Sequence, residues 1–346
     1  MFNQPIVLVV GAGASFDVYG LPLGGRLAST IAADTDFFWD SYHDLAGPSR
    51  GSSDLFNSVF RRKFPAQNGR LQEYVTAAQM LSAAISSTIS IDDALYQLSD
   101  FPKCVEVGKM CIMRYILAAE RKSTIKIDPD TGTIDPKAGR EGWIEQIFSM
   151  AITGYKLKDI KHAFERITFV NFNYDRCIEH YLYHALQRIG ISTEDAGGIV
   201  SKLNIIRPYG GLGSIVPGQK DHLSFGGGAT TDLFTMLGRI RTFTESEVLH
   251  DKHELSKALS SASLIMFLGF GFHAQNLELL ALTKPHSVRD LKVLATTFAV
   301  HEANIPELKL AIGRTCRTDP ERVETFHMTA SEMLTKLRMK INLALG

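Results

Sequence analysis

The chain has 346 residues, with 37 basic and 37 acidic side chains and a formal net charge of zero at neutral pH. That balance excludes a net field that would draw nucleic acid, anionic lipid or acidic substrates, while an apolar content of 45% supplies the core of one large or two modest domains. No apolar run approaches the roughly 18 residues of a membrane span, and Cys104, Cys111, Cys177 and Cys316 form no C-x-x-C pair, so neither a zinc spacing nor a disulfide framework is present, in keeping with a reducing cytoplasm.

The first element is the apolar run Ile6-Val7-Leu8-Val9-Val10, which reads as a strand buried on both faces, the pattern of a parallel sheet. It has no basic segment before it and is not a signal peptide. Gly11-Ala12-Gly13-Ala14-Ser15 follows at once. A strand turning sharply into a helix start directs backbone N–H groups and the positive end of the helix dipole outward, which makes an anion site, usually for phosphate. The dinucleotide fingerprint G-x-G-x-x-G is not met, because Phe16 stands at the third glycine position. An ordinary NAD-dependent dehydrogenase is therefore disfavoured.

After Gly20-Leu21-Pro22 the chain reads helical to about residue 33. Trp39, Tyr42, Phe56 and Phe60 then read as a small aromatic core around a loop, and Arg61-Arg62-Lys63, the one basic run, as a solvated face. Residues 71–98 repeat apolar side chains at helical spacing, with a break near residues 86–88 and a new helix start at Ser90, the N-cap, ahead of Asp92 and Asp93. A helix over residues 103–121 precedes a loop rich in Asp, Pro, Gly and Thr at residues 127–136, read as an exposed, mobile excursion. A helix resumes at Trp143. Residues 36–161 thus form a mostly helical insertion, with a flexible loop near residues 122–141, between residues 1–35 and 162–346.

Strand signals return at residues 166–172, 203–207, 264–268 and 291–297, separated by helices that include 176–189, 305–312 and 330–343. Strands alternating with helices predict an α/β fold with a doubly wound parallel sheet. Ligands of such sheets lie outside the carboxyl ends of the strands, where the clusters after Val10, Phe172, Arg207 and Leu268 would converge. His180 and His184, four apart on a helix, lack a third ligand or an H-E-x-x-H pattern, so no metal site is assigned.

Three of these clusters carry a family likeness. Gly11-Ala12-Gly13-Ala14-Ser15 with Gly20-Leu21-Pro22 resembles the sirtuin opening G-A-G-x-S and G-I-P, with one extra residue between. Asn171-Phe172-Asn173-Tyr174-Asp175 resembles the sirtuin T-Q-N-I-D, and more closely the F-N-Y-D of sirtuin-related NADase effectors of bacterial antiviral defence. Leu268-Gly269-Phe270-Gly271-Phe272 resembles their late glycine turn. The three stand in family order between Val7 and about Asn276, interrupted by the helical insertion.

The resemblance implies a Rossmann-like fold that takes NAD as substrate and cleaves its nicotinamide–ribose bond. It implies Asn173 as the catalytic amide and Asp175 as a ribose or nicotinamide contact. Gly11, Ala12, Gly13 and Ser15 would cradle phosphate, and Gly210, Gly269, Phe270 and Gly271 would lie beside the nucleotide. The chemistry suits these types. Nicotinamide in NAD is already cationic and leaves without a general acid, so the site must stabilise an oxocarbenium-like centre and place a water or hydroxyl behind it. A carboxamide orients that nucleophile without adding charge, although Asp175 ahead of a helix also reads as an ordinary N-cap.

One position departs from the family. Where the family has His-Gly, with His as general base, this chain has Tyr209-Gly210. Bringing a phenol from about 10 to the imidazole value near 6.5 requires roughly 5 kcal/mol, part of which a cation such as Arg207 would supply. Otherwise a neutral Tyr209 orients a ribose hydroxyl, or activity is lost; His222 and His273 are the candidate substitutes. The family's deacetylases carry a small zinc module of paired cysteines, absent here, so no zinc is expected and the deacetylase branch is disfavoured. The resemblance implies a cytoplasmic effector that depletes NAD in antiphage defence, held in check by a partner protein or by self-assembly. The reading from a different class is a catalytically silent sensor or scaffold for NAD or ADP-ribose.

Overall fold

A computed structural model describes residues 2–40, 47–65, 68–228, 231–247, 251–283, 286, 288 and 290–345; Tyr42 lies outside them. The molecule is built on six parallel strands, β1 (Ile6–Val10), β2 (Ile167–Asn171), β3 (Asn204–Ile206), β4 (Leu264–Leu268), β5 (Lys292–Thr296) and β6 (Val323–Phe326). Their order is β3-β2-β1-β4-β5-β6, so β1 is central and is paired by both β2 and β4. The fold is Rossmann-like α/β. Its topological switch point lies between β1 and β4, where the chain, having moved outward to β3, returns to the other side of β1.

Burial on both faces follows from the uninterrupted apolar runs. Val7 and Val9 of β1 face one core with Ile265 and Phe267 of β4, while Ile6, Leu8 and Val10 face the other with Leu264, Met266 and Leu268. Helices fill both layers. Helix α1 (Ala12–Tyr19) leaves β1 and α2 (Gly24–Thr35) follows it. The insertion adds the short α3 (Ser53–Leu55), a π-helical turn over Phe56–Arg61, then α4 (Asn68–Ser86), α5 (Ile91–Gln97), α6 (Pro102–Lys122) and α7 (Trp143–Ile152). Beyond β2 come α8 (Cys177–Arg188), α9 (Thr193–Val200), α10 (Phe243–Glu247), α11 (Asp251–Ser261), α12 (Ala274–Leu280), α13 (Ile305–Cys316), α14 (Ala330–Lys336) and α15 (Arg338–Leu345).

The insertion packs on both faces of the sheet. Helices α4, α5 and α6 bury Leu81, Leu95 and Met110 in the core that holds Val7 and Val9. Helix α7 buries Trp143 and Ile147 in the opposite one, and the Trp143 indole donates to the Ala14 carbonyl of α1 at 3.0 Å. Phe37, Phe56 and Phe60 are buried with edge-on contacts at 6.0 Å, and Trp39 meets Phe56 at 5.4 Å, an aromatic core as the sequence suggested.

Three elements differ from expectation. The excursion at residues 127–136 is exposed over most of its length but closed: Ile127 bridges Ile134, Asp128 N–H donates to Thr133 O, and Ile134 is buried. The last predicted helix divides at Leu337, whose φ of −101° and ψ of 10° leave the helical region. Strand β6 was not foreseen. It is four residues long, and only Val323 is fully buried, so it carries neither an apolar run nor a clean alternation.

Candidate functional site

The carboxyl ends of β1, β2, β3 and β4 bring together the sequence clusters that follow them. At the switch point the two glycine turns are in backbone contact. The Gly11 N–H donates to Leu268 O at 3.0 Å and the Gly13 N–H to Gly269 O at 2.9 Å. The amides expected to face outward at residues 11 and 13 are therefore turned onto the β4 loop. A Cβ at Gly11 would stand 2.6 Å from Gly269 O, and one at Gly269, where φ is +56°, would stand 2.0 Å from Ala14 N. These glycines are required by the close approach of two backbones. Thr296 of β5 fixes the turn further, its hydroxyl accepting the Gly269 N–H at 2.8 Å and donating to Phe267 O at 3.2 Å.

Asn173 links the β2 turn to this junction. Its Nδ2 donates to Gly11 O and to Ser15 Oγ, each at 3.0 Å, and its backbone N–H donates to Asn171 Oδ1 at 3.0 Å. Asn173 and Ser15 are both buried. The amide is thus locked in orientation, and no described residue donates to its Oδ1. Asn171 Nδ2, also buried, has no partner among the described residues. An unmatched donor of this kind costs about 1–3 kcal/mol. Asn171 Nδ2 and Asn173 Oδ1 thus leave a donor and an acceptor without a protein partner among the described residues at the end of β2.

Asp175 Oδ1 accepts the N–H of Cys177, the first residue of α8, at 3.1 Å; the N-cap itself is Arg176, so Asp175 serves a first-turn donor from one residue before the cap and is not the N-cap expected. Arg207, at the end of β3, clamps the same turn. Its Nη1 donates to the carbonyls of Asn173 and Asp175 at 2.9 and 3.1 Å, and its Nη2 makes a two-pronged contact with Glu179 at 2.7 and 2.9 Å. Its charge is therefore engaged away from the Tyr209 hydroxyl. Tyr209 instead donates to Asn276 Oδ1 at 2.7 Å. Burial, reinforced by the charges of Asp92 and Asp93, pushes the phenol well above its ordinary value. Of the roles open to Tyr209, its surroundings fit the neutral hydroxyl and not the base. Gly210, at φ +74°, lets this segment pair with Arg239, since a Cβ there would stand 2.1 Å from Arg239 O.

The remaining residues divide by exposure. Phe270 is buried in an aromatic cluster, with Phe172 at 5.0 Å and Phe272 at 5.3 Å. Ala12 is half-buried at the first position of α1, and Gly271 is exposed beside His273. His222 lies exposed on the segment after β3. His180 and His184 pack ring against ring at 4.8 Å; the His180 Nε2–H donates to Ile125 O at 2.8 Å, and burial holds both imidazoles neutral, lowering His184 to about 4. Among the described residues no group of three metal-ligating side chains is assembled.

Sequence reasoning missed Asp92. It was read only as a first-turn acid of α5, yet the fold sets it against the β2 turn, where its Oδ1 accepts the Tyr174 hydroxyl at 3.2 Å. Burial raises its carboxyl to about 6, opposed by the Tyr174 bond and the His273 charge. No local pattern signals this, because Asp92 and Tyr174 are brought together only by packing of the insertion on the sheet. A carboxyl titrating near 6 is suited to accept or hold a proton at working pH.

The folded-state value of Asp92 stands above its unfolded value, so the ionised group opposes folding at neutral pH, and the opposition fades as pH falls through about 6. Asp92→Asn keeps the acceptor for Tyr174. It is expected to raise unfolding stability at pH 8 by about 1–3 kcal/mol and to leave it unchanged near pH 4. Urea titrations at the two pH values check this, and equal stability of the two proteins at pH 8 would contradict the burial argument.

No protein-family model matches the chain, and no curated protein matches it.

Proposed function

We propose that this chain cleaves the bond between nicotinamide and ribose in NAD. The observation that carries the reading is the Asn173 amide. It is pinned by Gly11 and Ser15 at the switch point, with its Oδ1 left for a nucleophile or ribose hydroxyl. A neutral amide held in this way orients water behind a developing oxocarbenium centre without reorganising during the reaction. Asp175 and the Asp92–Tyr174 pair supply negative charge for that centre, and Tyr209 serves as a neutral hydroxyl. The proposal extends to the biological role implied by the resemblance, depletion of NAD in antiphage defence by a cytoplasmic protein. Release of its activity would be governed by self-association or a partner protein.

A second reading, a silent module that binds NAD or ADP-ribose, is favoured by one observation. The Tyr209 hydroxyl in the family's histidine position is committed to Asn276 and held protonated.

One experiment separates the two. Purified protein at high concentration is incubated with NAD and the products are resolved by chromatography, beside Asn173→Ala. Nicotinamide release that falls at least 100-fold in the variant supports cleavage. Calorimetric binding of NAD without release, in both proteins, supports the silent module. Neither binding nor release rejects both.

A further inference from the structure

A second concave site lies away from the strand ends. It is a cavity of about 550 Å³ between the insertion and the segment preceding α10, within the size range of small-ligand sites. None of the residues assigned above to the NAD site lines it. Its wall carries four cations, Arg62, Lys63, Arg114 and Arg121, against two carboxylates, Asp54 and Asp232. Arg114 pairs with Asp54, and Lys63 reaches Asp232 at 3.3 Å. Arg121 donates to the Gly226 carbonyl. No described residue accepts from Arg62. The cavity therefore keeps two positive charges beyond its own carboxylates, and like charges facing one concavity raise the local concentration of anions.

The run Arg61-Arg62-Lys63 has Arg62 and Lys63 exposed, as a solvated face would be, and these two side chains also line this wall. They come directly after the π-helical turn Phe56–Arg61, a rare geometry that recurs at functional sites. The opposite wall is aromatic. Phe234 is half-buried against Phe64 and Tyr74, and Lys63 Nζ sits 5.2 Å above its ring. The glycine segment at residues 226–228 adds no free amide. Gly226 N–H goes to Glu120, Gly227 N–H to Ser224 O and Gly228 N–H to Thr231 Oγ1. Recognition falls to the side chains, and guanidinium groups are the best matched of these to phosphate oxygens.

We infer that this cavity binds a phosphate-bearing small molecule, with Arg62 and Arg121 on the phosphate and Phe234 against its organic part. The inference does not depend on NAD cleavage. Isothermal titration of the full chain with AMP, with inorganic pyrophosphate and with adenosine tests it, beside Arg62→Glu, Arg121→Gln and Asn173→Ala. Circular dichroism establishes that each variant is folded. AMP is expected to bind at least tenfold more tightly than adenosine, to weaken at least tenfold in Arg62→Glu and Arg121→Gln, and to bind unchanged in Asn173→Ala. Pyrophosphate binding as tightly as AMP would assign a bare phosphate ligand at the same cations. The inference is overturned if no probe binds at millimolar concentration. It is also overturned if binding survives both arginine variants, or if it is lost in Asn173→Ala, which would place the anion at the strand ends.

Discussion

Replacing Arg176 with methionine is expected to cost about 3–5 kcal/mol of unfolding stability. Arg176 is 1% exposed and Glu120, its partner, 0%. The guanidinium donates to Glu120 through Nε at 3.1 Å and Nη2 at 2.6 Å, and to the carbonyls of Leu223 and Ser224. Glu120 also accepts the backbone N–H groups of Arg176 and Gly226. Burial raises the Glu120 carboxyl and Arg176 pulls it down. Without the guanidinium a carboxylate would be stranded in the interior. Its folded-state pKa would stand further above the unfolded value, so the loss is largest at neutral pH and shrinks as pH falls toward about 4.3. Urea midpoints at pH 7.5 and pH 5 measure both effects. The double variant Glu120→Gln, Arg176→Met removes the stranded charge and is expected to regain more than half of the loss. A single-variant loss below about 1 kcal/mol would refute the role given to the pair.

A second large effect is expected from one added methyl group. Gly269→Ala places Cβ 2.0 Å from Ala14 N and 2.4 Å from Gly13 C, in a residue whose φ is +56°. Both obstacles are backbone, which cannot rotate aside. Left-handed strain and overpacking together give about 3–5 kcal/mol. The β1 and β4 turns would separate, and Asn173 would lose the fixed position of Gly11 O. The internal comparison is Gly198→Ala in α9, where an added Cβ meets nothing within 4 Å. There the helix gains about 0.5–1 kcal/mol. Thermal and urea unfolding of the two variants should move in opposite directions. A Gly269→Ala protein as stable as the parent would show that the glycine junction does not hold the turns together.

The sheet was readable because its central strands need no context. Five consecutive apolar residues at β1 and at β4 are buried on both faces, so local composition and final environment agree. Ser90 was readable for the same reason, since a cap acts within three residues and its hydroxyl accepts the Asp93 N–H. What could not be read is long-range. Nothing near Gly13 indicates that its amide would meet Gly269, and nothing near Asp92 points to Tyr174 or Tyr209. Arg207 looked like a neighbour able to acidify a phenol. Its partners, Glu179 and the 173–175 carbonyls, are set by how α8 leaves β2. Strand β6 was missed because an edge strand with one buried residue leaves almost no apolar signature.

The centrality of β1 also shapes how the chain is made. Ile6 pairs with Ile167 and with Leu264, both synthesised long after it. At about 5–20 residues per second, the second partner emerges roughly 13–50 s after the first strand. Until β2 emerges, roughly 8–32 s after β1 at the same rate, both hydrogen-bonding edges of β1 lack a native strand, and one edge still lacks it until β4 follows. Such a delay favours contact with other chains. The helical insertion, synthesised in between and rich in local contacts, is the part able to form early and shelter one face of β1 until the sheet can close.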